Sequence, residues 1–181
     1  MASRPLLYLD VDGPLNPYAA NPNRRPEGYE THRMLPPSWI AQREGMGRVK
    51  PLRVWLNPTH GPALLTLADR FDLVWATTWE HDANTYIGPN IGLPELPVVE
   101  WQTTERFGPD GTFFKTAELV EHAAGRPFVW VDDDITERDR RYVERHHPAA
   151  ALLRFVDPAV GLDGDDFEAI GAFGASIAAA A

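Results

Sequence analysis

The sequence predicts an α/β fold, a three-layer α/β/α sandwich built on a parallel sheet. Two observations lead there. Apolar strand-like runs alternate with helix-like stretches along most of the chain, the order that builds parallel sheets with helices on both faces. Several of those runs, such as Leu6-Leu7-Tyr8-Leu9 and Phe128-Val129-Trp130-Val131, are continuously apolar, as in strands covered on both sides. At 181 residues, 44% hydrophobic and 24% charged, the chain is long enough for one domain with its own core.

The elements follow in order. Leu6 to Leu9 predicts a buried strand that stops at Asp10-Val11-Asp12-Gly13. Residues 14–58 hold eight of the seventeen prolines, so no long amphipathic helix is expected there. Short strands over 48–50 and 52–56 are expected instead, as a hairpin or flap. Pro62 to Asp69 reads as a helix with proline in its first turn. Phe71 to Ala76 is a second strand ending at Thr77-Thr78, followed by a helix around Glu80 to Ile87 that Gly88-Pro89 should break. Pro97 to Trp101 reads as a third strand, 107–111 as a turn, and Lys115 to Ala124 as a helix closed by Gly125. A fourth strand, Phe128 to Val131, ends at Asp132-Asp133-Asp134. Thr136 to His146 is a charged helix, Ala150 to Phe155 a fifth strand, and Asp165 to Ile177 a last helix with a frayed Ala-rich tail. One domain over 1–181 is expected, with a Pro/Arg-rich insert at 14–58.

Composition excludes several function classes. The chain has no cysteine, which removes disulfide scaffolds, thiolate metal sites and cysteine nucleophiles. No apolar run approaches the ~18 residues of a membrane span, and Met1 to Pro5 lack a secretory pattern, so a cytoplasmic protein without a membrane partner is expected. A net charge of −9 argues against broad nucleic-acid binding. The 14–58 segment departs from this: seven basic and three acidic residues give it +4, leaving −13 for the remainder.

The unusual polar residues fall at strand ends, where open parallel sheets bind ligands. Asp10 and Asp12 share a face if the strand continues, and two carboxylates so close repel unless a cation lies between them. Asp132 and Asp133 can add a ligand from another strand end. Hard oxygen donors favour Mg2+ over zinc. The alternative is a strand ending in solvated acids. Thr77 and Thr78 offer hydroxyls to a phosphate oxygen, or Thr78 simply caps a helix. Lys115 is one of two lysines and stands at a helix start, unfavourable to the dipole, so a phosphate and carboxylates nearby would explain it; otherwise it is a solvated surface lysine.

Taken in order, Asp10-Val11-Asp12-Gly13, Thr77 or Thr78, Lys115 and Asp132-Asp133 resemble the motifs of the haloacid dehalogenase-like (HAD) hydrolase superfamily, over roughly residues 5 to 175. Trp75-Ala76-Thr77-Thr78-Trp79-Glu80 with Ala83-Asn84 is also similar to a branch containing HAD domains of RNA-repair proteins. The resemblance implies a Rossmann-like sheet with a small flap or cap after strand 1. It implies a magnesium-dependent phosphomonoesterase: Asp10 as nucleophile, forming an aspartyl-phosphate, and Asp12 as general acid and then base. Thr77 would bind the phosphoryl group, with Thr78 the register alternative and Gly13 beside the substrate. Lys115 would neutralise the nucleophile and phosphate. Asp10, the Asp12 carbonyl and Asp133 would hold magnesium, with Asp132 a direct or outer ligand. Receiver domains use similar parts, but there the lysine comes last, whereas here a triple Asp follows Lys115.

The implied partner is a phosphorylated substrate: a small molecule, a nucleotide or a nucleic-acid end. A basic flap over an acidic site would steer an anion inward. Trp39, Trp55 and Tyr29 either stack on a base or sugar or fill the flap's own core. His32 and His60 read as loop residues, and His146-His147 as a surface helix end. The alternatives to a phosphomonoesterase are a nucleic-acid-end phosphatase or phosphotransferase of a repair system, and a non-catalytic binding module on the same fold.

Overall fold

The structure is a computed structural model that describes residues 4–45, 47–103, 107–108 and 110–180. It has the α/β architecture. Strand β1 (Leu6–Leu9) lies inside a four-stranded sheet beside β4 (Asp72–Trp75) and β5 (Phe128–Asp132), and β6 (Ala151–Phe155) completes the order β4-β1-β5-β6. All three pairings are parallel, with Leu6 opposite Asp72 and Phe128, and Phe128 opposite Ala151.

Strand alternation sorts the core onto two faces. Leu7, Leu9, Leu73, Trp75, Val129 and Val131 pack with α2 (His60–Leu67), α3 (Gly88–Ile91) and α6 (Gly164–Ala180). Leu6, Tyr8, Val74, Phe128, Trp130 and Leu153 pack with α4 (Phe114–Ala123) and α5 (Glu137–His146). Helices therefore cover both faces, as the continuous apolar runs require.

The chain leaving β1 moves to β4, on one side, and the chain leaving β5 moves to β6, on the other. That reversal opens a crevice at the carboxyl ends of β1 and β5, the place where such sheets bind ligands.

Several expectations need correction. Residues 97–101 do not form a strand; they contribute one parallel bridge, Val98 to Trp75, bonded through Trp75 N to Pro97 O and Val99 N to Trp75 O. Pro94 and Pro97 lack the N–H groups that a longer edge strand needs. Strand β3 (Leu52–Leu56) pairs antiparallel with β2 (Glu30–Met34), not with 48–50, because Glu30 to Met34 supplies a full register opposite Leu56 to Leu52. With the short helix α1 (Pro37–Ala41), these strands are the regular structure of the 14–58 segment.

The stretch after β4 is a single π-helical turn, Ala83–Ile87, that continues into α3 without breaking at Gly88-Pro89. Pro89 lies where the π-helical turn passes into α3, and the helix spans it although proline has no N–H to give the preceding turn. The Ala-rich end is helical to Ala180, consistent with alanine's high propensity; Ala181 lies outside the described residues, as do Met1 to Ser3. The expected turn at 107–111 is closed by Gly108 N to Thr112 O, with Pro109 outside the described residues. Among the described residues, no helix is long and apolar enough to cross a membrane.

Candidate active site

Lys115 is the centre of the site. It lies in the first turn of α4, is 1% exposed, and places its Nζ 2.8 Å from Asp10 Oδ2 and 2.7 Å from Asp132 Oδ2. The sheet explains why the three meet. Leu6 and Tyr8 face α4 from β1, and so does the next position in that alternation, Asp10; Phe128, Trp130 and Asp132 face it from β5. Because Leu9 stands opposite Val131, Asp10 and Asp132 are neighbours at the next register step. Two carboxylates side by side at the buried end of a sheet require a cation, and the lysine expected to be either functional or solvated is buried between them.

Asp133 comes next in the chain and turns toward the cleft, where Tyr18 Oη donates to its Oδ2 at 2.8 Å. A Cβ at Gly13 would lie 2.6 Å from the Asp133 Cβ and Cγ, and Gly13 has φ +88°. Gly13 is thus required by the close passage of the Asp133 side chain and by its left-handed backbone. Carboxylate oxygens of Asp10, Asp132 and Asp133 lie within 4.8 Å of one another.

Asp12 is reached differently than strand alternation predicts. The strand ends at Leu9, and the chain then coils, with Leu15 N and Asn16 N both donating to Val11 O. Asp12 is thereby turned so that its two oxygens accept from Asn16 Nδ2 at 2.8 Å and Trp79 Nε1 at 2.9 Å. Thr77 is fully buried, with its Oγ1 accepting from Trp79 N at 3.3 Å and its carbonyl accepting from Trp101 Nε1. Thr78 is exposed and lines the cleft.

The cleft holds about 400 Å3. Asp10, Asp12, Lys115 and Asp133 line one wall, and Ser38, Trp39, Gln42 and Arg53 of the 14–58 segment line another.

Burial dominates the electrostatics. Desolvation pushes the Asp10 carboxyl above its ordinary range, against the pull of Lys115. It raises Asp132 to about 7, again opposed by Lys115, and Asp133 to about 6, opposed by the Tyr18 hydrogen bond. Burial alone would lower Lys115, but Asp10 and Asp132 more than offset it and hold the amine charged. With all three carboxylates ionised, the single ammonium leaves an excess of negative charge that a divalent cation would balance.

The three acids are not equivalent toward a cation. Asp132 Oδ2 accepts from Lys115 and from Trp130 Nε1, its Oδ1 accepts from Asp134 N, and it is fully buried. Its lone pairs are committed to fixing the lysine. Asp10 and Asp133 face the cleft and are the better donors. The all-oxygen set, free of thiol and imidazole, fits magnesium.

Of the residues predicted from sequence, Asp10, Lys115, Asp132, Asp133 and Gly13 cluster tightly, Asp12 and Thr78 line the same cleft, and Thr77 is buried just past the end of β4. Sequence reasoning missed Asn16, Tyr18, Trp79 and Trp130; only Trp79, adjacent to Thr78, carried any signal.

The aromatic residues of the insert separate. Tyr29 and Trp55 are buried, bonded to Val160 O and Thr31 Oγ1, and so fill the interior, while Trp39 lines the cleft. His60 is buried at the start of α2, not in a loop: its Nε2 lies 3.1 Å from Leu162 O, and its ring packs against Tyr29 and Phe167. His32 belongs to β2, and His147 is buried rather than on the surface. Comparison of the chain with protein-family models, curated proteins and solved structures produced no match.

Proposed function

We propose that this chain is a magnesium-dependent phosphomonoesterase working through an aspartyl-phosphate on Asp10, in the manner of the haloacid dehalogenase-like hydrolases it resembles. The observation that carries the reading is the Lys115 ammonium held between Asp10 and Asp132 at the floor of a cleft that Asp12 and Asp133 also line.

In this reading an Asp10 oxygen attacks phosphorus while the ester P–O bond breaks, and the leaving oxygen takes its proton from Asp12. Water then attacks the same phosphorus, Asp12 accepts the water's proton, and the bond to Asp10 breaks, releasing phosphate and restoring the carboxylate. Lys115 offsets the repulsion between Asp10 and an incoming phosphate anion, and Asp132 fixes where that charge stands. Asp10 and Asp133 would hold magnesium, which when bound supplies further positive charge to the transferring phosphoryl oxygens. Thr78, exposed in the cleft, offers a hydroxyl to those oxygens. The wall formed by Ser38, Trp39, Gln42 and Arg53 would meet the leaving group, the role of a small flap.

Wild-type protein with magnesium is expected to release phosphate from 4-nitrophenyl phosphate. Asp10→Asn is expected to reduce turnover by at least about 10³-fold while its circular dichroism stays that of the wild type. Wild-type rates in that variant, or no magnesium-dependent release by the wild type, would defeat the proposal.

A further inference from the structure

Asp12 is gripped from two sides. Trp79 Nε1 donates to Oδ2 at 2.9 Å and Asn16 Nδ2 to Oδ1 at 2.8 Å. Both partners are themselves fixed. Trp79 is 7% exposed, within the core that also holds Leu9 and Val11, and follows Thr77, whose Oγ1 accepts the Trp79 N–H. Glu80, the next residue, has φ +47°, a left-handed conformation that a non-glycine residue keeps only where its surroundings impose it. Asn16 is 4% exposed, and its Oδ1 accepts from Trp55 N on β3 at 3.0 Å. A hydrogen-bonded path therefore runs from the β2–β3 sheet through Asn16 to the Asp12 carboxyl, with the indole closing it from the opposite side.

Both donors are permanent: an indole N–H and an amide NH2 cannot accept a proton or give one up near neutral pH. They fix the orientation of the carboxyl without competing for its proton. Rotating Asp12 away from the cleft would break both bonds at once, and a proton donor that must meet a leaving oxygen at ~3 Å loses efficiency steeply with misplacement.

We infer that Trp79 and Asn16 are positioning residues that orient Asp12 for proton transfer to the leaving group, and that Asn16 makes this orientation depend on the seating of the β2–β3 sheet over the cleft. The inference rests on the proposed phosphomonoesterase reading.

The test separates the role from general damage by varying the leaving group. 4-Nitrophenol leaves without much help, whereas an alkoxide requires the proton. Trp79→Phe keeps a ring and removes the N–H; Asn16→Ala removes the amide. Both variants are assayed with magnesium on 4-nitrophenyl phosphate and on an alkyl phosphate such as glycerol 2-phosphate, with melting temperatures recorded. Loss of a hydrogen bond to the charge that develops on Asp12 as its proton leaves predicts a kcat/KM on the alkyl ester lower by roughly 10- to 100-fold. On the aryl ester the expected loss of kcat/KM, which does not report the second step in which Asp12 is the base, is under about 3-fold. Equal losses of kcat/KM on the two esters, or no loss on either, would overturn the positioning role. If Asn16→Ala shows the selective loss and Trp79→Phe does not fold, the Asn16 arm alone supports the inference. A wild type that hydrolyses neither ester defeats the phosphomonoesterase reading and this inference with it.

Discussion

Lys115 shows how a single buried side chain can hold two strand ends together. Its burial between Asp10 and Asp132 means that Lys115→Met would leave two desolvated carboxylates facing each other without a cation. Removing one member of a buried ion pair typically costs ~3–5 kcal/mol, so urea denaturation of Lys115→Met at pH 7 should show a loss of that order. Adding Asp132→Asn should restore part of it, since one of the two opposed charges is then gone. A loss within about 0.5 kcal/mol, the usual effect of a surface substitution, would mean that the lysine is not held as described. At this scale the sequence was informative wherever chemistry left a mark on residue type. Three aspartates after an apolar strand and one of only two lysines are conspicuous. Tyr18 and Asn16 are not, because nothing in their neighbours distinguishes them from other residues of a proline-rich loop. Their roles come from the coil after Leu9 and from the antiparallel sheet, neither of which has a periodic signature.

Among elements, the placement of α4 matters most, since it carries the lysine. Its start is fastened to α5 by Asp139, which is fully buried. Asp139 Oδ1 accepts from Phe113 N at 2.7 Å and Thr116 Oγ1 at 2.5 Å, while Oδ2 accepts from Thr136 N and Oγ1 in the capping box of α5. One carboxylate therefore satisfies donors at two helix starts. Asp139→Ala strips all four and should cost ~3 kcal/mol or more, read by calorimetry as a melting temperature lower by several degrees. If the proposed phosphomonoesterase reading holds, the same variant should lower turnover, because the frame holding Lys115 loosens. A melting temperature within a degree of wild type would contradict this. The α5 boundaries were readable from Thr136 onward, as a polar cap before a charged helix. The tie to α4 was not, because it joins residues 26 positions apart through tertiary packing.

For the whole molecule, His60 links the helix layer to the loop before α6 through Leu162 O, with Tyr29 and Phe167 against its ring. Burial lowers its pKa from 6.5 to about 4, since the neutral ring fits and the charged one is desolvated. A depressed histidine supports the fold fully above 6.5, and that support is lost as pH falls toward 4. The shift corresponds to roughly 3 kcal/mol. Between pH 7.5 and 4.5 the wild type should lose more stability in urea than His60→Gln by an amount of that order; parallel curves would sink the assignment. The sheet order shows where pattern reading gives out. Apolar runs located four of the strands, yet the position of β1 between β4 and β5 depends on crossovers that no local run encodes. That order also bears on biosynthesis. Of the four strands, β1 is synthesised first and needs two later neighbours, the second of which begins at Phe128. Until then β1 keeps an open flank and Asp10 lacks Asp132, so the Lys115 notch closes late in synthesis, and products truncated before Phe128 are left with an unguarded, aggregation-prone edge.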